Sequence, residues 1–144
     1  MVEPVNGLKA LAKAPERVVL VVDDEPAVRE LINVVLASHG FRVCVARDGI
    51  EALRTFKELG RTLSMVVIDL QLPGMSGLEV VRAIRDQDQS LPVVVASGRL
   101  DDRLLVELKQ VEVTAFLSKP FTVAQLLQTV TDVSRHAEAS RQAG

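Results

Sequence analysis

Residues 17–26 read RVVLVVDDEP, an apolar run that ends in three consecutive acids and a proline. A continuous apolar run of this length is typical of a strand that is buried on both faces of a parallel sheet. Adjacent carboxylates repel each other and resist desolvation, so packing alone gives Asp23 and Asp24 no role at the end of such a strand. The stretch predicts a buried first strand whose carboxyl end carries functional groups.

Apolar runs and helical stretches alternate along the rest of the chain. Between the runs, apolar residues recur at the three- and four-residue spacing of a helix face. The alternation predicts an α/β fold with a parallel sheet and right-handed crossovers. The five apolar runs are residues 18–22, 41–46, 65–68, 93–96 and 113–117.

The same patterns predict the domain boundaries. Residues 17–136 are predicted to form a single domain, because apolar periodicity continues throughout them. Residues 1–16 and 137–144 are Ala-rich or polar and show little periodicity. We therefore expect an N-terminal extension or linker at 1–16 and a flexible C-terminal tail at 137–144.

Composition narrows the class of protein. The 144 residues are 48% hydrophobic and 25% charged, as in an ordinary globular domain. The net charge of −2 and the lack of a long basic stripe argue against direct binding to nucleic acid or to an acidic membrane. One cysteine, Cys44, allows no internal disulfide, and no segment reads as a membrane span or signal peptide. A cytoplasmic location is expected.

Polar side chains follow four of the predicted strands. Asp23 and Asp24 follow the first, Asp69 ends the third, Ser97 ends the fourth, and Lys119 ends the fifth. Each has an ordinary alternative role in isolation, as a helix cap, a turn residue or a solvated side chain. Because the carboxyl ends of parallel strands meet at one edge of a sheet, we expect these residues to face a common site.

Three converging aspartates require a cation. Without one they would raise each other's pKa and destabilise the fold. Mg²⁺ prefers oxygen ligands and is usually bound by few carboxylates beside a phosphate. Lys119 and Ser97 are the groups that would meet the remaining phosphate oxygens.

Four motifs, in this order, resemble the receiver domain of two-component response regulators. The resemblance covers residues 17 to about 134 and implies a flavodoxin-like, doubly wound, five-stranded parallel sheet of order 2-1-3-4-5 with helices on both faces. The motifs are VVDDE (21–25), VVIDLQLPGMSG (66–77), VVVASG (93–98) and FLSKPF (116–121).

The resemblance also implies a metal site and a nucleophile. Asp69 would accept a phosphoryl group as an aspartyl phosphate. Asp24 and Asp69 would ligate Mg²⁺ together with the backbone carbonyl of Gln71. Asp23 would act mainly through a metal-bound water.

Further residues would complete the chemistry and the switch. Lys119 would pair with Asp69 or the phosphoryl group, and its peptide bond to Pro120 is expected to be cis. Ser97 would bond a phosphoryl oxygen, and Phe116 would then turn inward, although simple core packing is an alternative for Phe116. The signal would appear on the face formed by the fourth helix, the fifth strand and the fifth helix.

Two variable positions are expected to tune the site. Gln71 and Arg99 stand two residues after Asp69 and Ser97. In similar proteins these positions control the access of water to the phosphoryl group. We expect Arg99 to lean over the site and to alter the lifetime of the phosphate.

The start of the fifth strand departs from the receiver pattern. Many receivers have Gly-Ala here, whereas this chain has Glu112 and Val113. Without glycine the fourth helix must end differently, or Glu112 carries strain. We therefore expect residues 100–112 to be the least regular part of the domain.

The resemblance implies partners as well. A histidine kinase or a histidine phosphotransfer protein would be the phosphodonor, and a downstream effector or output domain would read the switch. The domain would catalyse its own phosphorylation and dephosphorylation as a signalling switch rather than act as an enzyme.

Two alternatives remain open. One is a receiver-like docking module that works without phosphorylation. The other is a phosphohydrolase with an aspartate nucleophile, although Gln71 stands where such enzymes typically have a second aspartate.

Overall fold

The computed structural model describes residues 16–143, which alternate between strands and helices as the sequence predicts. A single 3₁₀ turn, Gly60–Thr62, precedes the third strand. The elements are β1 (Val18–Val22), α1 (Pro26–Ala37), β2 (Arg42–Ala46), α2 (Gly49–Leu59), β3 (Leu63–Asp69), α3 (Gly77–Gln87), β4 (Val93–Ser97), α4 (Asp102–Gln110), β5 (Ala115–Ser118) and α5 (Val123–Ala143).

The five strands form one parallel sheet in the order β2-β1-β3-β4-β5. This confirms the predicted doubly wound architecture. The register brings the carboxyl ends of the strands level with one another, since Asp69 is paired with Ala96 and Ser97 with Ser118. The side chains that follow these ends therefore meet at one edge of the sheet.

Two apolar cores cover the two faces of the sheet, and successive strand residues alternate between them. In β1, Val18, Leu20 and Val22 enter one core, whereas Val19 and Val21 enter the other. The first core is completed by α2, α3 and α4, and the second by α1 and α5. This double coverage explains why the strands read as continuous apolar runs.

Gly77 allows α3 to begin directly against the end of β3. Its backbone N–H donates to the carbonyl of Leu70 at 2.9 Å, and Ser76 caps the helix by accepting from the N–H of Glu79. A Cβ atom added to Gly77 would collide with the carbonyl oxygen of Asp69 and lie 2.6 Å from Leu70 Cα. A glycine is therefore needed where the loop after Asp69 passes the helix.

The last helix is longer than the sequence pattern predicts. Helix α5 continues to Ala143, so residues 137–143 are helical, while the domain limit at 136 and the flexibility of the tail stay predictions. The apolar stripe of α5 ends at Val133, and the Ala-rich sequence that follows has a high intrinsic helix propensity. The predicted extension at 1–16 lies outside the described residues except for Glu16.

The expectation that residues 100–112 are the least regular segment is wrong. Residues 102–110 form an uninterrupted helix, and the departure is confined to Glu112, whose φ of 54° is left-handed. Two backbone bonds close the helix around it, from Glu112 N to Lys109 O and from Val113 N to Leu108 O. Glycine usually occupies the left-handed position of such a helix C-terminus, and here a strained glutamate occupies it.

No helix within residues 16–143 is both long enough and apolar enough to cross a membrane.

Candidate functional site

A lysine from the end of β5 contacts two buried aspartates from β1 and β3. Lys119 Nζ lies 2.6 Å from Asp23 Oδ2 and 2.9 Å from Asp69 Oδ2, and it also lies 3.7 Å from Glu25 Oε1. Asp23 and Asp69 are only 2% and 6% exposed. Burial of two carboxylates this close together is tolerated because the ammonium group is bonded to both.

Local backbone bonds fix the orientation of both aspartates. Asp23 Oδ1 accepts a hydrogen bond from the N–H of Glu25 at 2.9 Å, and Asp69 Oδ1 accepts one from the N–H of Gln71 at 3.0 Å. In each case the side chain turns back to a backbone donor two residues ahead. The other oxygen of each carboxylate is thereby directed at Lys119.

The backbone around Lys119 is held just as closely. Its N–H donates to the carbonyl of Ser97 at 2.9 Å, which ties the end of β5 to the end of β4. The Lys119–Pro120 peptide is cis, as the resemblance to receiver domains implies. The lysine is therefore presented by two adjacent strands.

An acidic cluster around Asp23 could hold a metal ion. Carboxylate oxygens of Asp23, Asp24, Glu25 and Asp69 lie within 4.8 Å of one another. Among the ion pairs of the described residues, Lys119 is the only cation set against them. The donors are hard oxygens and carry more negative charge than one ammonium neutralises, which fits Mg²⁺.

Glu25 is the member of this cluster that was not predicted as a site residue. It follows Asp23 and Asp24 in the same acidic run, directly before Pro26, where capping a helix is the ordinary role of an acid. It does occupy the cap position of α1, yet its side chain makes no capping hydrogen bond. Three acids in a row were the signal that could have identified it.

The charge state of Lys119 follows from its two partners. Burial by itself would lower the pKa of Lys119, but the hydrogen bonds and negative charges of Asp23 and Asp69 outweigh it and raise the pKa above the usual 10.5. Lys119 therefore stays a cation throughout the physiological range. It can pair with an anion at this site at any pH where the protein functions.

Ser97 lies at the same edge but bonds to its own loop. Its buried hydroxyl donates to the carbonyl of Arg99 and accepts from the N–H of Arg99, both at 3.2 Å. The side chains of Arg99 and Gln71 are exposed. None of these three side chains is hydrogen-bonded to the acidic cluster, and only the backbone N–H of Gln71 reaches it, at Asp69 Oδ1.

Phe116 is not a core residue. Its side chain is 37% exposed on β5, with exposed Val106 and Val123 on α4 and α5. A small cavity of about 330 Å³ lies beside it, between β5 and α5. There is consequently space next to this ring.

A larger cavity lies away from all of these residues. It has a volume of about 1270 Å³ and opens at the amino-terminal end of the sheet, where Leu63, Pro92 and Thr114 precede or begin β3, β4 and β5. None of the predicted site residues lines it. This cavity and the acidic cluster therefore lie in different parts of the fold.

Comparison with characterised sequences points to one family. A family model described as the response regulator receiver domain matches residues 19–131. The DNA-binding response regulator MtrA of Mycolicibacterium smegmatis is 36% identical over 112 residues, which are 78% of this chain and 48% of that protein. The regulatory protein SphR of alkaline phosphatase synthesis in Synechococcus elongatus is 31% identical over 134 residues, or 88% and 52% of the two chains. The chain spans about half the length of these relatives.

Solved structures give the same result. The chemotaxis protein CheY4 of Vibrio cholerae superposes with a TM-score of 0.77 at 31% identity, over 82% of this chain and 98% of that one. A response regulator receiver protein from Pseudomonas putida superposes with a TM-score of 0.76 at 32% identity, over 83% and 98%. Fold, motifs and site geometry agree: the chain belongs to the receiver domain family of two-component response regulators, which are signalling switches.

Proposed function

We propose that Asp69 accepts a phosphoryl group from a phosphohistidine of a histidine kinase or histidine phosphotransfer protein. One observation carries the proposal: Lys119 contacts Asp69 and Asp23 at once, inside an acidic cluster at the carboxyl end of the sheet. A carboxylate that is to react with an anionic phosphoryl group needs a fixed cation beside it, and Lys119 is that cation.

The transfer exchanges one bond for another. A carboxylate oxygen of Asp69 attacks phosphorus; the O–P bond forms as the P–N bond to the imidazole breaks, and the bonding electron pair leaves with the imidazole nitrogen. The N–H of Gln71 holds Oδ1 of Asp69 in place. Lys119 stabilises the negative charge that accumulates between the reacting groups.

The acidic cluster supplies the metal site for this step. Asp23, Asp24, Asp69 and the backbone carbonyl of Gln71 would hold Mg²⁺, with Glu25 beside them. When bound, Mg²⁺ neutralises charge on the carboxylates and on the incoming phosphoryl oxygens. The same residues would serve hydrolysis of the product, so the domain catalyses its own phosphorylation and dephosphorylation and acts on no separate substrate.

Ser97 and Phe116 are the proposed switch. The hydroxyl of Ser97 would leave its bonds to Arg99 and bond to a phosphoryl oxygen on Asp69. Phe116 is exposed and has space beside it, so its ring would turn inward and change the surface of α4, β5 and α5. One charge-assisted bond then shifts the balance between two conformations.

We place the reaction in the cytoplasm, with an effector or output domain as the reader of the switch. MtrA is named as a DNA-binding regulator, but the matched region covers only about half of it. The net charge of −2 does not favour binding to nucleic acid or to acidic lipids. We therefore propose protein partners and no direct contact with DNA or membrane.

Phosphorylation by a small donor tests the proposal. The protein is incubated with Mg²⁺ and acetyl phosphate, and intact mass is measured; wild type should gain one phosphoryl group. Asp69→Asn should gain none, whereas Asp86→Asn, which alters an exposed aspartate on α3, should react like wild type. An unmodified wild type would favour a docking module that works without phosphorylation. Modification of Asp69→Asn would mean that another residue is the acceptor.

A further inference from the structure

The guanidinium group of Arg85 connects the C-terminal ends of two helices. From its place in α3, Nε donates to the carbonyl of Val111 at 2.9 Å and Nη2 donates to the carbonyl of Glu112 at 3.0 Å, across 26 and 27 residues of sequence. Its Nη1 donates to the carbonyl of Asp88 at 3.1 Å. Only the planar fork of arginine offers donors in three such directions at once.

The electrostatics of this position favour a cation. Asp88 is the C-terminal cap of α3 and Val111 that of α4, so Arg85 lies where two helices present unpaired carbonyls and negative dipole ends. Glu112 next to them is held in the left-handed conformation, where glycine is the usual residue. The hydrogen bond from Arg85 to the carbonyl of Glu112 therefore holds a turn that lacks glycine.

Helix α4 is less deeply buried than α3. Leu108 is its only buried residue, whereas α3 buries Val80, Val81 and Ile84 along with its first glycine. Leu108 packs the C-terminal end of α4 against the core, and Arg85 adds side-chain hydrogen bonds to the backbone just beyond that end. The N-terminal end of α4 follows directly from the loop after Ser97. One end of α4 is thus linked to the proposed phosphorylation site, and the other is tied to α3 through Arg85.

We infer that Arg85 is a positioning residue of the switch: it anchors the C-terminal end of α4, so that phosphorylation displaces the N-terminal end about a fixed point. The inference rests on the proposed function for its second half, because the displacement needs a phosphoryl group on Asp69. The anchoring itself is a property of the unmodified protein.

Hydrogen exchange of peptides from the two ends of α4 tests the inference. Arg85→Lys keeps the charge but loses the three-way donor geometry, and Arg82→Lys changes an exposed arginine on the same helix as the control. In the unmodified protein, Arg85→Lys should raise exchange in residues 106–114 about tenfold or more, the effect of losing charge-assisted hydrogen bonds. Arg82→Lys should match wild type.

Phosphorylation with acetyl phosphate then distinguishes the behaviour of the two ends of α4. In wild type, exchange should change in residues 99–105 and stay constant in 106–114; in Arg85→Lys it should change in both. Equal exchange of wild type and Arg85→Lys in 106–114 would overturn the inference. A rise that extends equally to β1 and β3 would also overturn it, because Arg85 would then support only global stability.

A second variant separates anchoring from relief of strain. Glycine at position 112 adopts the left-handed conformation without help, so Glu112→Gly should not restore protection to residues 106–114 of Arg85→Lys if the tether matters. Complete restoration of protection would mean that Arg85 only compensates for the strain at residue 112, and it would overturn the inference. If wild type gains no phosphoryl group at all, both the proposed function and the displacement of α4 are wrong. The exchange of the unmodified variants still decides whether Arg85 anchors the C-terminal end of α4.

Discussion

Lys119 Nζ lies 2.6 Å from Asp23 Oδ2, although the two residues are 96 positions apart in the chain. Replacing Lys119 with Met would leave Asp23 and Asp69 buried without a cation. Loss of one partner from a buried pair should lower the free energy of unfolding by about 3 kcal/mol in a metal-chelating buffer. Urea unfolding with EDTA measures this, and added Mg²⁺ should recover part of the loss because it neutralises the same carboxylates.

Lys57→Met serves as the control for this experiment. Lys57 is exposed near the end of α2, so its replacement should change stability by no more than about 0.5 kcal/mol. If Lys119→Met is as stable as wild type in the chelator, the aspartates do not depend on the lysine.

Gly77→Ala should destabilise the domain and slow phosphorylation. The added Cβ meets the backbone of Asp69 and Leu70, which can yield only by a shift of the loop after β3. We expect a loss of about 2 kcal/mol in unfolding free energy, typical of overpacking, together with a slower mass gain from acetyl phosphate. Gly98→Ala is the control, since its Cβ would have no neighbour closer than 3.9 Å and stability should be nearly unchanged. Similar losses for both variants would contradict the steric explanation.

Glu112→Gly should stabilise the protein. Residue 112 has a φ of 54°, which costs a side-chain-bearing residue more than glycine. The unfolding free energy should rise by about 0.5–1 kcal/mol, measured by urea denaturation. The same exchange within α4, Glu107→Gly, should lower it by about 1 kcal/mol because glycine is unfavourable inside a helix. A loss at position 112 would mean that the glutamate side chain stabilises the turn more than its backbone strains it.

The contribution of Asp88 should disappear in acid. Burial by itself would raise the pKa of Asp88, but hydrogen bonds from Ser90 and Leu91 and the charge of Arg85 outweigh it and hold the pKa below the usual 3.8. A depressed pKa stabilises the folded state above the unfolded value and ceases to do so as pH falls through the folded value. The stability difference between wild type and Asp88→Asn should therefore be constant near neutrality and shrink below about pH 4. A difference that stays constant down to pH 2.5 would show that the carboxylate charge does not matter.

Arg99→Ala should shorten the lifetime of the phosphoryl group. Arg99 is exposed, and its backbone is bonded to Ser97, so its side chain is free to cover the site once Asp69 is modified. Removing it would admit water, and hydrolysis should become a few-fold faster. Loss of the phosphoryl mass over time after removal of acetyl phosphate measures the rate, with Arg103→Ala as an exposed control on α4. Unchanged decay would exclude Arg99 as a tuning residue.

The sequence was sufficient to predict the sheet and the meeting of Asp23, Asp69 and Lys119. Both follow from one regularity, because each functional residue stands where a buried apolar run ends and parallel strands align their ends. The strand limits were less accurate. The third strand begins at Leu63, earlier than its apolar run, and the fifth begins at Ala115, later than its run.

Other features depend on geometry that no pattern of residue types records. Arg85 bonds to backbone carbonyls that every residue possesses, so its partners at Val111 and Glu112 leave no mark in the sequence. The last turns of α5 carry no apolar stripe in the sequence, so periodicity could not predict them.

The central position of β3 has a consequence for how such a domain can diversify. Its residues point alternately into the two cores, with Val66 and Ile68 on one side and Met65 and Val67 on the other, and the strand ends at Asp69. A change at the carboxylate of Asp69 can therefore be transmitted through β3 to the helices on both faces of the sheet. If Asp69 is the phosphoryl acceptor that we propose, partner proteins on either side of the sheet could respond to its modification, because β3 packs against both cores.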